Sequence, residues 1–177
     1  MCIRDSHIRR ADALGVPLVT FVDTPGYEPG RDLEWRGMIR HGAKLVHAYA
    51  DATVPRVCVV VRKAYGGAYI VMDSRTMGSD LVLAWPGAEI AVMGAAGAVE
   101  VLHRRELAAA DDPDGRRADL QQAYEDQFLT PRIAAERGLV DHVVAPTETR
   151  AHLVAAVRRF ATKRPAVPDR RHANEPL

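Results

Sequence analysis

The heptapeptide Lys63-Ala64-Tyr65-Gly66-Gly67-Ala68-Tyr69 follows the most apolar run of the chain, residues 57–61, and leads into residues that suit a helix. A strand must therefore give way to a helix through two adjacent glycines, where no Cβ stands between the main chain and a ligand. The first N–H groups of such a helix have no internal acceptor and lie at the positive end of its dipole. An oxyanion suits them. An enolate, a tetrahedral centre and a phosphate would each fit, and a plain tight turn explains the same residues without any ligand. The rest of the chain has to choose.

Composition narrows the field. With 177 residues, 47% apolar and 27% charged, the chain is long enough for one domain with a substantial core. A net charge of +1 disfavours a general nucleic-acid partner. Its apolar runs are too short to span a bilayer, so no membrane role is expected. Two cysteines, Cys2 and Cys58, provide neither a disulfide framework nor a metal motif, and an intracellular, cytoplasmic home is expected. Residues 1–6 lack the apolar centre of a secretory signal and join abruptly to helix-like sequence at His7. They are expected to be a non-native leader, with the domain running over 7–177.

Taken in order, residues 7–14 read as the end of a helix stopped by Gly15, and 16–22 as a buried strand ending at Asp23. Residues 24–30 are too rich in proline and glycine for regular structure. A helix is expected from Asp32 to near Asp51, then a strand over 54–62 covered on both faces. After the glycine turn come a helix through 72–77, strands over 81–85 and 89–93, and a helix over 94–106. Residues 107–119 are charged, contain Pro113 and Gly115, and read as an exposed linker. Short helices over 121–128 and 131–137, a strand over 139–144 and a final helix from Thr147 with a Leu153, Val154, Val157 and Phe160 stripe complete the domain. The basic tail from Lys163 is expected on the surface or on a partner. Such alternation predicts an α/β fold.

Several blocks add a family to this reading. They are Phe21-Val22-Asp23-Thr24-Pro25-Gly26-Tyr27, Ile39-Arg40-His41-Gly42-Ala43-Lys44, Arg62 through Tyr69, and Leu83-Ala84-Trp85-Pro86, followed by the glycine-bearing segments 89–94, 97–100 and 134–138. In this order and spacing they resemble the carboxyl-terminal domain of the carboxyltransferase (β) subunit of biotin-dependent acyl-CoA carboxylases, of the propionyl-CoA and acetyl-CoA type. The resemblance implies a crotonase-like (ClpP/crotonase) α/β fold, a superhelix of strand-strand-helix units. It also implies that 7–177 is the biotin-side half of a larger subunit whose acyl-CoA-binding domain lies upstream.

In that family carboxybiotin loses carbon dioxide, and the ureido anion left behind removes the α-proton of a short-chain acyl-CoA, acetyl or propionyl, whose enolate is then carboxylated. By resemblance, Gly67 and Ala68 stabilise the biotin oxyanion. Gly66 allows close approach, Tyr65 and Tyr69 shape the walls, and Ile70 bears on acyl choice, because propionyl-type members often carry Asp there. Pro25, Gly26 and Tyr27 are second candidates, although a rigid connector explains them as well. Asp23 reads as a loop cap, Arg40 and His41 as structural, and Cys58 as a small hydrophobe.

The biotin is expected to arrive on a partner, the biotin carboxylase and carrier (α) subunit. The chain itself is expected to assemble as a homo-oligomer, a hexamer in the family, with no metal. Two alternatives stay open: a biotin-dependent acyl-CoA decarboxylase subunit, and a noncatalytic oligomerisation half using Trp35, Trp85 and the tail. A hydratase or isomerase would need acids near the thioester, with Glu89 and Glu100 the only nearby carboxylates. A Clp-type protease would need a serine where Ala68 stands.

Overall fold

Five parallel strands, β1 (Leu18–Thr24), β2 (Arg56–Tyr65), β3 (Leu81–Ala84), β4 (Glu89–Ala91) and β5 (His142–Val143), form one sheet in a computed structural model that describes residues 3–163. β2 is its axis. β1 pairs along one edge, with Leu18 opposite Arg56 and Val22 opposite Val60. The other edge is shared in succession: Val57–Val60 pair with Leu81–Ala84, and Lys63–Tyr65 with Glu89–Ala91. β5 extends the sheet beyond β3. The expected α/β class, with strands alternating with helices, is what forms.

The run that reads as doubly covered is so. Val57, Cys58, Val59 and Val60 are fully buried, with Cys58 and Val60 in one cluster with Val82, Ala134 and Val140, and Val59 on the opposite face with Leu83 and Val144. Each fully buried valine or leucine contributes about 2 kcal/mol. β1 is a different case from the buried strand expected. Its register puts Val19 and Phe21 on the Val57 and Val59 face, and both are exposed, Phe21 by 54%. On its other face Leu18 packs under Leu45, Ala48 and Tyr49.

The helices depart from expectation where glycine and proline were read too simply. α1 (Ile3–Ala13) starts within the stretch set aside as a leader, so residues 3–6 are helical, and Gly15 ends it as expected. Asp12 Oδ1 accepts from the N–H groups of Thr53 and Val54 at 2.6 and 3.0 Å, fastening α1 to the entrance of β2. The helix expected over 32–51 is two, α2 (Arg31–Trp35) and α3 (Met38–Asp51), because Gly37 takes the left-handed conformation, φ 80°. α4 (Gly66–Ile70) is only the first turn of the helix expected after the glycines. The chain leaves it through Asp73, itself left-handed at φ 61°, into a short 3₁₀ turn, Arg75–Met77.

The expected 94–106 helix breaks at His103 into α5 (Ala95–Leu102) and α6 (Arg104–Ala109). The expected linker 107–119 is wrong: most of it is α6 and α7 (Pro113–Tyr124), which passes into a π-helical turn, Glu125–Leu129. Pro113 sits in the first turn, where it removes no needed donor, and Asp112 caps the helix by accepting from Gly115 N at 3.0 Å. α8 (Pro131–Glu136) ends before the left-handed Gly138 as expected. α9 (Thr149–Phe160) buries Thr149 and Ala156; of the stripe read from the sequence, Leu153 packs against Val59, Leu83 and Val144, Val157 and Phe160 are half-buried, and Val154 alone is exposed. Trp85 donates its indole N–H to Thr149 Oγ1 at 2.9 Å and serves this packing. The tail beyond Lys163, together with Met1 and Cys2, lies outside the described residues. No described helix is long and apolar enough to cross a membrane.

One buried ion pair lies beneath the sheet's helical cover. Arg56 Nη1 donates to Asp73 Oδ1 at 2.9 Å, with both side chains almost wholly enclosed. Burial pushes the Asp73 carboxyl up to about 7, against the opposing pull of the Arg56 guanidinium. The folded state therefore holds this proton more tightly than the unfolded chain does. The associated stabilisation is complete in acid and is lost as pH rises through about 7. Urea melts from about pH 5 to about pH 8 should show the wild type losing stability relative to Asp73→Asn, in which this titration is gone. At α7, Asp112→Ala should lower the unfolding free energy by about 1 kcal/mol, read from the shift in urea midpoint.

Candidate functional site

In a parallel sheet, ligands gather where the strands' carboxyl ends stop. Here those ends are Thr24 of β1, Tyr65 of β2 and Ala91 of β4. The first two are tied side by side by Asp23, which accepts from Lys63 N at 3.2 Å and from Arg62 Nε at 3.0 Å. The Arg62 hydrogen bond holds this carboxyl below its usual range. Asp23 thus caps the junction at the shift in register between β1 and β2, as its sequence position suggested.

Past Tyr65 the backbone must turn sharply, and Gly66 does so at φ 58°. A Cβ there would also lie 2.9 Å from the Val92 carbonyl oxygen, so the position excludes a side chain twice over. α4 then begins with no side-chain cap at Tyr65. Helical geometry leaves the N–H groups of Gly67 and Ala68 without an intrahelical acceptor. A Cβ on Gly67 would lie 4.0 Å from the Tyr27 ring, so this residue faces the loop that follows β1.

Two cavities flank the turn. The first, about 350 Å³, is lined by Ala68, Gly26 and Tyr27 together with Met38, His41 and Gly42 of α3. The second, about 260 Å³, is lined by Gly66, Tyr69 and Ile70 with Ile90, Val92 and Arg137. The candidates are accordingly divided. Ala68, Gly26 and Tyr27 share one cavity, with Gly67 facing it, whereas Ile70 lies round the helix in the other. Pro25 is exposed beside the loop. Tyr65 points elsewhere, its ring against Gly94, Ala95 and Leu129 and its hydroxyl donated to Glu89. Its phenol is pushed up, first by burial and then by that carboxylate. Tyr69 is buried in the main core, which raises its phenol too.

Sequence reasoning missed the α3 wall. His41, structural by sequence alone, is among the residues lining the first cavity, and Gly42 is where the Tyr27 hydroxyl reaches the helix, leaving no room for a Cβ. The Ile39 to Lys44 block was visible, but only the packing of α3 against the loop turns it towards the cavity. Among the described residues no group of three or more His, Cys, Asp or Glu side chains could hold a metal ion.

Among known protein families, the carboxyl transferase domain matches residues 5–174 of this chain. The chain belongs to the carboxyl transferase family. A propionyl-CoA carboxylase carboxyltransferase subunit from Haloferax mediterranei is 54% identical over 170 residues, which are 96% of this chain and 33% of that protein. The methylmalonyl-CoA decarboxylase α subunit of Propionigenium modestum is 48% identical over 170 residues, again 96% of this chain and 33% of that protein. Among solved structures, the transcarboxylase 12S hexamer assembly with methylmalonyl-CoA and methylmalonic acid bound matches with a TM-score of 0.94 and 48% identity, over 99% of this chain and 34% of that one. The fold is crotonase-like, as the sequence resemblance implied. This carboxyl transferase chain spans about a third of the length of the curated relatives it matches.

The two glycines are separable by experiment. Gly66→Ala should cost about 2 kcal/mol, since it combines a left-handed residue with a clash against backbone, while Gly67→Ala should unfold near the wild-type urea midpoint.

Proposed function

We propose that this chain is the biotin-side half of a biotin-dependent acyl-CoA carboxyltransferase, acting on a short-chain acyl-CoA, acetyl or propionyl. The observation that supports it most is the pair of uncapped N–H groups of Gly67 and Ala68, placed opposite Tyr27 at the carboxyl ends of β1 and β2, in a member of the carboxyl transferase family. Its cavity, about 350 Å³, is of a size that takes a small bicyclic ring. Biotin, brought by the α subunit that carries it, would supply the carboxyl group and a ureido oxygen that gains negative charge as that group leaves.

The residues of this chain fit that demand. Gly67 and Ala68 donate from the main chain to the developing oxyanion, and an amide N–H is too weak an acid to give its proton up, so the charge is stabilised without being quenched. Tyr27 covers the cavity on the opposite side, and its approach to Gly42 fixes the width. Excluding water there strengthens the N–H contacts. Ile70 borders the second cavity and presents a branched apolar surface to an acyl chain, which favours a short chain by shape and polarity together. The acyl-CoA itself is held by a second domain, of the kind that the relatives' remaining length contains, and the enzyme works as a homo-oligomer. The decarboxylase relative shares the same stretch of chain, so the same turn would serve either direction of transfer, the direction being set by the partner.

The test is carboxyl transfer by this domain joined to an acyl-CoA-binding domain and supplied with carboxylated carrier. Transfer to acetyl-CoA or propionyl-CoA is expected. Gly67→Val should lower kcat by about a hundredfold or more by filling the space beside Tyr27 and shifting a donor. A folded wild type that oligomerises without transferring carboxyl would instead favour the assembly role.

A further inference from the structure

The buried polar residues Thr20, Tyr49, Arg56 and Asp73 have no part in the chemistry just described, yet each belongs to, or closely follows, an element that contributes to the first cavity or to the glycine turn. Thr20 of β1 and Tyr49 of α3 share a hydroxyl–hydroxyl bond of 2.9 Å. Tyr49 belongs to the helix that carries His41 and Gly42. Asp73 follows α4 and is fully buried.

α4 has five residues, far fewer than hold a helix alone, and nothing caps its first turn. Its direction has to be imposed from the other end. There Val71 N donates to Gly67 O at 3.2 Å and Met72 N to Tyr69 O at 3.0 Å. Ser74 Oγ donates to Ile70 O at 3.0 Å. Asp73 must then take a left-handed conformation that an aspartate adopts only at a cost. Arg56 is what meets it. One guanidinium nitrogen binds Asp73, and the other holds the carbonyl oxygens of Met77 and Gly78 at 2.9 and 2.7 Å. Arg56 is the first residue of the central strand, so the fork ties the 73–78 return to the sheet.

We propose that Arg56 and Asp73 are positioning residues that orient the Gly67 and Ala68 N–H groups from beneath. The pair is a poor choice for stability alone, since apolar residues of equal volume often hold a fold as well. What it supplies is direction. A planar fork engaging one carboxylate and two carbonyls admits one placement of the segment, whereas apolar packing admits several. A donor displaced by about 1 Å from a developing oxyanion loses much of its effect, so the consequence appears in the rate rather than in binding.

The catalytic arm rests on the oxyanion assignment made above; the structural arm does not. In the carboxyltransferase assembled with its acyl-CoA domain and carboxylated carrier, Arg56→Lys keeps the charge but loses the fork. It is expected to lower kcat about tenfold or more with the KM for acyl-CoA within about twofold. Asp73→Ala should do the same, and Asp73→Asn should recover most of the rate, because Asn tolerates the left-handed region and retains the Oδ1 acceptor. Amide hydrogen exchange at Val71 and Met72 should quicken in Arg56→Lys while the β2 amides exchange as in the wild type. Unchanged kcat, no recovery by Asn, or exchange raised throughout the sheet would each overturn the proposal. An inactive but folded wild type would sink the proposed function instead, and the exchange at Val71 and Met72 would still decide this inference.

Discussion

β2 is hydrogen-bonded along both edges and covered on both faces, and everything that builds the site is placed relative to it. A strand in that position cannot slip by one residue, since Cys58 and Val60 would exchange faces with Val59 and Val61 against two differently shaped covers. Its end is therefore fixed. The glycine turn at that end, the β1 loop tied to it through Asp23, and the Val92 carbonyl that Gly66 must clear all follow from a single register.

The site joins a rigid base to a short, uncapped helix. Leaving the first N–H groups of α4 free costs local stability, because a side-chain cap would have satisfied one of them. The segment after the helix is tied down instead by Arg56, Asp73 and Ser74. The first cavity is lined by Gly26, Gly42 and the aromatic Tyr27 and His41, by apolar residues of α3 and of the segment after α4, and by Arg4 of α1, whereas the buried Arg56 and Asp73 are not part of its lining.

The chain belongs to the carboxyl transferase family, whose curated relatives matched here are about three times as long. Some of its own faces are left apolar and exposed. Phe21 and Val19 on β1 and Trp35 on α2, 79% exposed, are apolar surfaces of an otherwise well-covered sheet. Ala68 and Ile70, two residues apart on one short helix, line different cavities. A change at Ile70 can then alter the second cavity without moving Ala68.

Residues close in sequence determined what local physics could decide. An apolar run with β-branched residues made β2, Gly66-Gly67 made a turn that bares the backbone, and a proline-rich stretch made the loop that carries Tyr27. The order of these blocks was enough for the crotonase-like fold. Where glycine and proline admit two meanings, the chain alone could not choose. Gly37 broke a helix that reads as continuous, and Pro113 opened one where a linker was expected, because Asp112 was available to cap it. What only the tertiary structure decided depends on groups far apart in the chain. It brought His41 and Tyr27 to one cavity, sent Tyr65 away to Glu89, and brought Arg56 and Asp73 together in the core. Pairs of that kind leave no period or motif in a sequence, since each is selected by packing across the sheet and not by its neighbours.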